Sequence, residues 1–389
     1  MKKALIILIA MAFVAAFSVP AAAQTEWGFY GSARVTTFSY DDDRETGKTY
    51  SPLFDDRDTV WGNQNNSRFG ATAKAGNISG HVEIRETSEF RIVWGEWDFG
   101  FGKLGVGKHY TPANMFYSNQ VGFGEANLLN SGGYYTGADH MIRLRFQGIA
   151  DIMDFDMAFV DPNAVALATG FQGNPESIGW DTTVAPPVPF VIPAAGYQQT
   201  DIDTTWPQVE GRLLFNFGPV QMELGGAYVS FENVAVDANN LEREYSIDAW
   251  AVHFGTKLAM GPFYANGSIF VGENNAYLGQ WTVDAAVATY DAATDSLIDS
   301  DLWGWQLIAG FKLNDMISFE AGYGENRLDT NIAGQWEDKV ATYYFQTVLS
   351  PAKGVLIIPE IGKQDYKNTV AGADEGDTVY FGAVWKISF

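Results

Sequence analysis

Six cationic side chains, Arg34, Arg68, Lys74, Arg85, Arg143 and Arg145, lie at alternating positions of segments rich in β-branched, aromatic and glycine residues. Six carboxylates, Asp154, Asp156, Glu210, Glu223, Glu320 and Glu360, are placed in the same way further along. Alternate residues of a strand share a face, so the two sets would form a basic arc and an acidic arc on one surface. Opposed charged walls across a wet gap orient polar solutes and order water, which is the chemistry of a field and not of a catalytic group. Read singly, each arginine is a solvated residue paired with a neighbouring carboxylate. Read together, Arg68, Arg143 and Arg145 are a cluster of like charge that persists where function repays the repulsion.

Catalysis has little to work with. The histidines are His81, His109, His140 and His253, and none has nucleophile-elbow or metal-ligand spacing. Asp139 and His140 are adjacent, but neighbours on a strand point to opposite faces. An enzyme is therefore not expected, and neither is a cofactor. Asp41-Asp-Asp43 and Asp55-Asp-Arg-Asp58 would offer oxygen ligands to Ca²⁺ or Mg²⁺ at a rim. No run has EF-hand spacing, and acidic loops are more often simply solvated, so no metal is expected.

The elements that would carry these residues are strands. In Asp377–Phe389, Val379, Phe381, Ala383, Trp385, Ile387 and Phe389 fall on one side, and Thr378, Tyr380, Gly382, Val384, Lys386 and Ser388 on the other. A last strand with an apolar face and a terminal Phe389 is how an outer-membrane barrel presents itself to lipid and closes on its first strand. At the other end, Lys2 and Lys3 precede an apolar run to Val19 and then Pro20 and three alanines. This reads as a secretory signal peptide over 1–23, leaving 24–389 as a single domain. Its removal takes two lysines and moves the formal net charge from −23 to −25. The acidity argues against nucleic acid as a partner, and the absence of cysteine fits an exported chain without disulfides.

One rhythm repeats along the chain: about ten residues of alternating apolarity, then a tight turn or a long polar loop. It predicts an all-β, transmembrane, antiparallel up-and-down barrel of sixteen strands, near 26–40, 66–76, 78–89, 90–99, 103–110, 140–148, 152–160, 207–217, 219–231, 245–259, 262–273, 302–313, 315–326, 338–350, 354–365 and 377–389. Short connections such as Gly76-Asn77, Gly218-Pro219 and Gly261-Pro262 alternate with long ones at 41–65, 111–139, 161–206, 232–244, 274–301, 327–337 and 366–376. Val209, Leu213, Phe215 and Phe217 alternate with Gln208, Glu210, Arg212 and Asn216, which puts the polar set toward a wet lumen. Trp27, Trp97, Trp303, Trp305, Tyr344, Trp385 and Phe389 lie near strand ends, where aromatic girdles form.

Glu26-Trp-Gly-Phe-Tyr-Gly-Ser-Ala-Arg34, Asn66-Ser-Arg-Phe-Gly70 and Phe101-Gly-Lys-Leu-Gly-Val-Gly-Lys108 followed by Tyr110-Thr-Pro112 carry a resemblance. The first resembles the opening strand of Gram-negative general porins, the second their second-strand signature, and the third the strand that leads into their constriction loop. The resemblance implies a homotrimer in lipid and lipopolysaccharide, a third external loop folded into the pore at 111–139, and passive diffusion of small hydrophilic solutes and ions. It places Lys108 in the constriction with Arg34, Arg68, Arg85, Arg143 and Arg145, across from Glu125 or Asp139. The family usually has arginine where Lys108 stands. Alternation alone sets Lys108 with Leu104 and Val106 on the other face. The acidic balance predicts a mild cation preference. A channel selective for sugars or peptides is the second reading, with Phe116, Tyr117, Tyr134 and Tyr135 as a stacking path. Val184-Ala-Pro-Pro-Val-Pro-Phe-Val-Ile-Pro193 is an apolar stretch that would cover the mouth or meet a neighbouring subunit.

Overall fold

The computed structural model describes residues 25–43, 58–162, 178–181, 188–191, 198–204, 206–236, 242–282, 286–291, 294 and 296–389. The segment 1–23, Asp55 to Arg57 and most of Val184–Pro193 lie outside them; Val188–Val191 pairs antiparallel with Ile178–Asp181.

Sixteen strands form one closed antiparallel barrel: β1 (Glu26–Asp42), β2 (Arg68–Ala75), β3 (Ile78–Arg85), β4 (Phe90–Asp98), β5 (Lys103–Tyr110), β6 (Ala138–Ile149), β7 (Met153–Val160), β8 (Gln208–Phe217), β9 (Val220–Val236), β10 (Glu242–Met260), β11 (Phe263–Glu273), β12 (Asp301–Lys312), β13 (Ile317–Asp329), β14 (Asp338–Ala352), β15 (Val355–Asn368) and β16 (Asp377–Ser388). Asp58–Asn63 extends β2 outward along β1, and Gln198–Asp203 extends β8 along β9. The barrel closes where β16 pairs with β1, from Ser32 opposite Ser388 to Asp42 opposite Thr378. Phe389 and Gly31 exchange backbone hydrogen bonds of 2.8 and 3.0 Å at the seam. Closure removes the sheet edge that hydrocarbon could not solvate.

The outer surface is apolar. Phe29, Phe69, Ile142, Leu307, Phe381, Trp385 and Ile387 all point away from the protein and are exposed. In water a continuous belt of this kind would drive aggregation; in lipid it is the stable arrangement. Aromatic pairs ring the short-turn end, with Phe99 and Phe101 at 4.8 Å, Phe263 and Phe311 at 4.8 Å and Phe319 and Phe345 at 6.3 Å. Tyr344 departs from the girdle expected for it. It is buried in the lumen with its hydroxyl on Glu320, and its outward neighbour is Tyr343. A second departure is β3, which stops at Arg85. Ser88 takes φ 63° and its N–H bonds Arg85 O at 3.0 Å, so one external connection is a tight turn.

The protein's core lies inside the barrel and to one side. The loop between β5 and β6, residues 111–137, packs Met115, Tyr117, Leu128 and Tyr134 on an apolar inner wall that includes Val229, Phe231, Ile247, Phe270 and Ile308. A second outer segment, Asn275–Leu278, buries Tyr277 and Leu278 in the same cluster. Each such side chain contributes about 1.5–3 kcal/mol. The half of the lumen along β9–β13 is thereby filled.

Candidate functional site

A loop that crosses a barrel takes its backbone N–H groups away from bulk water, and each needs an acceptor. The wall supplies carboxylates. Ala113 N donates to Glu210 at 3.0 Å, Asn119 N to Glu320 at 2.9 Å, and Val121 N and Gly122 N to Glu360 at 2.7 and 2.8 Å. Gln120 Nε2 reaches Tyr380 OH at 2.9 Å, and that hydroxyl donates to Glu360 at 2.8 Å. These anchors hold a loop tip in which Phe123, Glu125, Asn127 and Leu128 all have positive φ, a conformation that costs each of them energy and persists only under such constraint. Glu210, Glu320 and Glu360 are thus not a free acidic arc facing solute. They are fully or almost fully buried and occupied by the loop.

The anchoring is also steric. Gly132 has φ 87°, and a Cβ there would lie 2.1 Å from Trp305 O; a Cβ on Gly324 would lie 2.0 Å from Ser131 O. Gly132→Ala is expected to push the loop off β12 and β13. The measurement is single-channel conductance, expected to broaden into several levels where the native protein gives one.

The other side of the loop faces the early strands. Glu125 bonds Arg34 and accepts from Asn66 Nδ2 at 3.1 Å, so it joins the loop to the basic wall. Arg68 and Arg91 share Glu83, at 3.4 Å for Arg68, and Tyr30 OH donates to the same carboxylate at 2.6 Å. Arg85 pairs with Glu89 at 3.5 Å in the outer turn. A second group is built on Asp156, held by Arg143 at 2.6 Å and Arg212 at 2.5 Å, and on Glu96, held by Arg145 at 2.8 Å and Lys103 at 3.4 Å. Arg68 is therefore in one group and Arg143 and Arg145 are in another, each with a carboxylate partner.

The two remaining candidates lie elsewhere. Lys108 sits opposite His140 in register, two places beyond the exposed pair Val106 and Ile142, so its side of the strand is the outer one. Asp139 belongs to β6, not to the inserted loop, and its Oδ1 accepts His140 N at 2.7 Å. It gathers with His140 and Asp161 at the rim. Asp42 accepts Thr378 Oγ1 at 3.0 Å.

Arg91 and Arg212 join these groups without having been counted in the basic arc. Alternation sets Arg91 with the exposed Val93, but the β3–β4 register shifts between Glu83 and Ile84. A bulge turns the residue over. Among the loop aromatics, Tyr117 and Tyr134 face the filled half, with Tyr134 stacked on His253 at 5.4 Å. Burial pushes the phenols of Tyr117, Tyr134 and Tyr135 up, and for Tyr135 the nearby Arg91, Arg85 and Arg68 pull the other way.

Charge exposure at the passage is uneven. The side chains of Arg68, Arg145 and Arg212 are 22%, 26% and 24% exposed, against 3%, 11% and 4% for their partners Glu83, Glu96 and Asp156. Guanidinium heads form the surface and the carboxylates lie beneath. Glu89 and Glu125 are the exceptions, each more exposed than its partner, Arg85 and Arg34. By count, Arg34, Arg68, Arg85 and Arg91 meet Glu83, Glu89 and Glu125, and Arg143, Arg145, Arg212 and Lys103 meet Asp156 and Glu96. Cations exceed anions in both groups, although the chain as a whole is at −23.

A closed sixteen-stranded barrel, apolar outside and partly filled by an inward loop beside an arginine-rich wall, defines an outer-membrane channel. The chain belongs to the Gram-negative porin family, whose model matches residues 10–331, and it is an outer-membrane channel for passive diffusion. Solved structures share the fold at low identity. The outer membrane channel DcaP of Acinetobacter baumannii superposes with a TM-score of 0.63 at 14% identity, over 94% of this chain and 97% of that one. A trimer form of Vibrio cholerae OmpT gives 0.57 at 15%, over 94% and 99%. The anion-selective porin from Comamonas acidovorans gives 0.57 at 10%, over 94% and 100%. No curated protein matches the sequence.

Proposed function

We propose that small hydrophilic solutes and ions cross this porin along the early-strand side of the lumen, between the inward loop and the wall that carries Arg34, Arg68, Arg85 and Arg91. The carrying observation is the asymmetry of the loop: its carboxylate anchors and apolar packing occupy one side, and its opposite side meets guanidinium groups. Solute, once there, meets cationic heads at close range, where screening over about 8–10 Å leaves distant acidic loops little influence. The charge distribution supports an anion preference in place of the cation preference expected from composition. Family and fold favour a channel over an enzyme. Export through the 1–23 segment, with cleavage before Gln24, delivers the chain to the outer membrane, where lipid and lipopolysaccharide surround the apolar belt. The OmpT trimer form supports assembly as a homotrimer.

Single-channel recording of the refolded protein in a planar bilayer is expected to give ohmic steps grouped in threes. Folded protein that inserts and stays silent would contradict the reading. Steps that arrive singly would leave the channel and remove the trimer.

A further inference from the structure

Four aromatic rings make a continuous track on the open side of the loop. Trp281, from the outer segment after β11, lies 6.1 Å from Tyr135; Tyr135 lies 5.6 Å from Phe116, and Phe116 lies 5.2 Å from Tyr110. The track ends on a cation, with Arg91 Cζ 4.9 Å over the Tyr110 ring. Trp281 N donates to Tyr135 O at 2.8 Å, which fixes the two outer rings to each other. Trp281 and Phe116 are 43% and 42% exposed, so two large rings stand open beside a loop whose other large apolar side chains, Met115, Tyr117, Leu128 and Tyr134, are buried. Exposed apolar surface of this kind favours a ligand that covers it.

The chemistry at both ends of the track selects the ligand. Ring faces accept a flat apolar body, and the guanidinium groups of Arg91, Arg85 and Arg68 accept an anionic head. A sugar would instead need free carboxylates or amides beside the rings; Glu83 is buried under Arg68 and Arg91, and the exposed Glu89 is paired with Arg85 in the outer turn. We propose that the passage is selective for small aromatic carboxylates, a single ring bearing one carboxylate, which slide along Trp281, Tyr135, Phe116 and Tyr110 toward the arginines. This rests on the anion-conducting reading above.

The test is block of single-channel chloride current by benzoate, acetate, benzyl alcohol and maltose added to the outer side. Benzoate is expected to half-block at a concentration roughly fivefold below acetate, the range of ring stacking, and benzyl alcohol to do little. In the Phe116→Ala, Trp281→Ala double variant the benzoate-to-acetate ratio is expected to fall to about one. If that variant does not fold, the wild-type ratio decides alone. Equal block by benzoate and acetate overturns the proposal, as does stronger block by maltose than by benzoate. Open channels with a cation preference remove the anionic basis but keep the porin, whereas absence of channels removes the porin reading itself.

Discussion

Replacing Glu320 with alanine is expected to raise conductance and lower stability together. This carboxylate accepts five hydrogen bonds, from Asn119 N at 2.9 Å, Asn119 Nδ2 at 2.6 Å, Tyr264 OH at 2.5 Å, Tyr344 OH at 2.6 Å and Gln346 Nε2 at 3.0 Å. Two come from the loop and three from the wall, so the side chain is the joint between them. Its loss leaves five donors, those of Tyr344 and Gln346 buried, to find water or each other. An orphaned buried donor costs about 1–3 kcal/mol, and because the five share one site the total is not their sum. We expect about 4 kcal/mol of lost stability, read as an earlier denaturant midpoint. The freed loop widens the lumen, read as a larger unit conductance. Glu320→Gln keeps an acceptor oxygen and an amide of the same shape, and is expected to show a smaller change in both. Native conductance and native stability in Glu320→Ala would show that the loop is held by its apolar packing alone.

Reversing charge at the passage is the second large effect. Arg68→Glu with Arg85→Glu changes the local charge by four units, and both sites tolerate it. Glu83 retains Arg91 when Arg68 is lost, and the partner of Arg85 is the exposed Glu89. Arg34 and Arg143 are poorer choices, since both are buried: losing Arg34 takes the cation from Glu125, and losing Arg143 leaves the buried Asp156 with Arg212 alone. A unit charge a few ångströms from a solvated ion is worth about 1 kcal/mol in water. The double variant is expected to shift the chloride-to-potassium permeability ratio roughly tenfold toward potassium. A ratio within a factor of about two of native would place the narrow part of the pore away from these residues.

Much of the barrel was readable because lipid imposes a strict rule. Outward residues must be apolar for the full width of the hydrocarbon, so alternation runs through most of each strand, and the sixteen predicted segments correspond to the sixteen observed. The rule weakens where something other than lipid sets the pattern. Tyr344 looked like a girdle residue because aromatic side chains are common on both faces, and its inward turn follows from the hydroxyl's bond to Glu320. Arg91 was invisible to alternation because a bulge adds a residue to its strand. The resemblance pointed Lys108 inward and alternation pointed it outward, and the register sets it beside His140 on the outer side.

The charged site was legible in composition but not in pairing. Inward positions told which strands carry Arg34, Arg68, Glu210, Glu320 and Glu360. They did not tell which carboxylates, from 97 to 239 residues away in sequence, the loop would claim for its backbone. That choice arises from tertiary packing, and it changes the sign of the surface a solute meets.

The most direct test of this account is the reversal potential of the wild-type channel in a tenfold gradient of potassium chloride. The anchoring of Glu210, Glu320 and Glu360 to the loop, and the exposure of guanidinium groups opposite, predict a potential of the sign set by chloride moving down its gradient. A potential set by potassium would contradict it, and would mean that the acidity of the whole chain governs the pore.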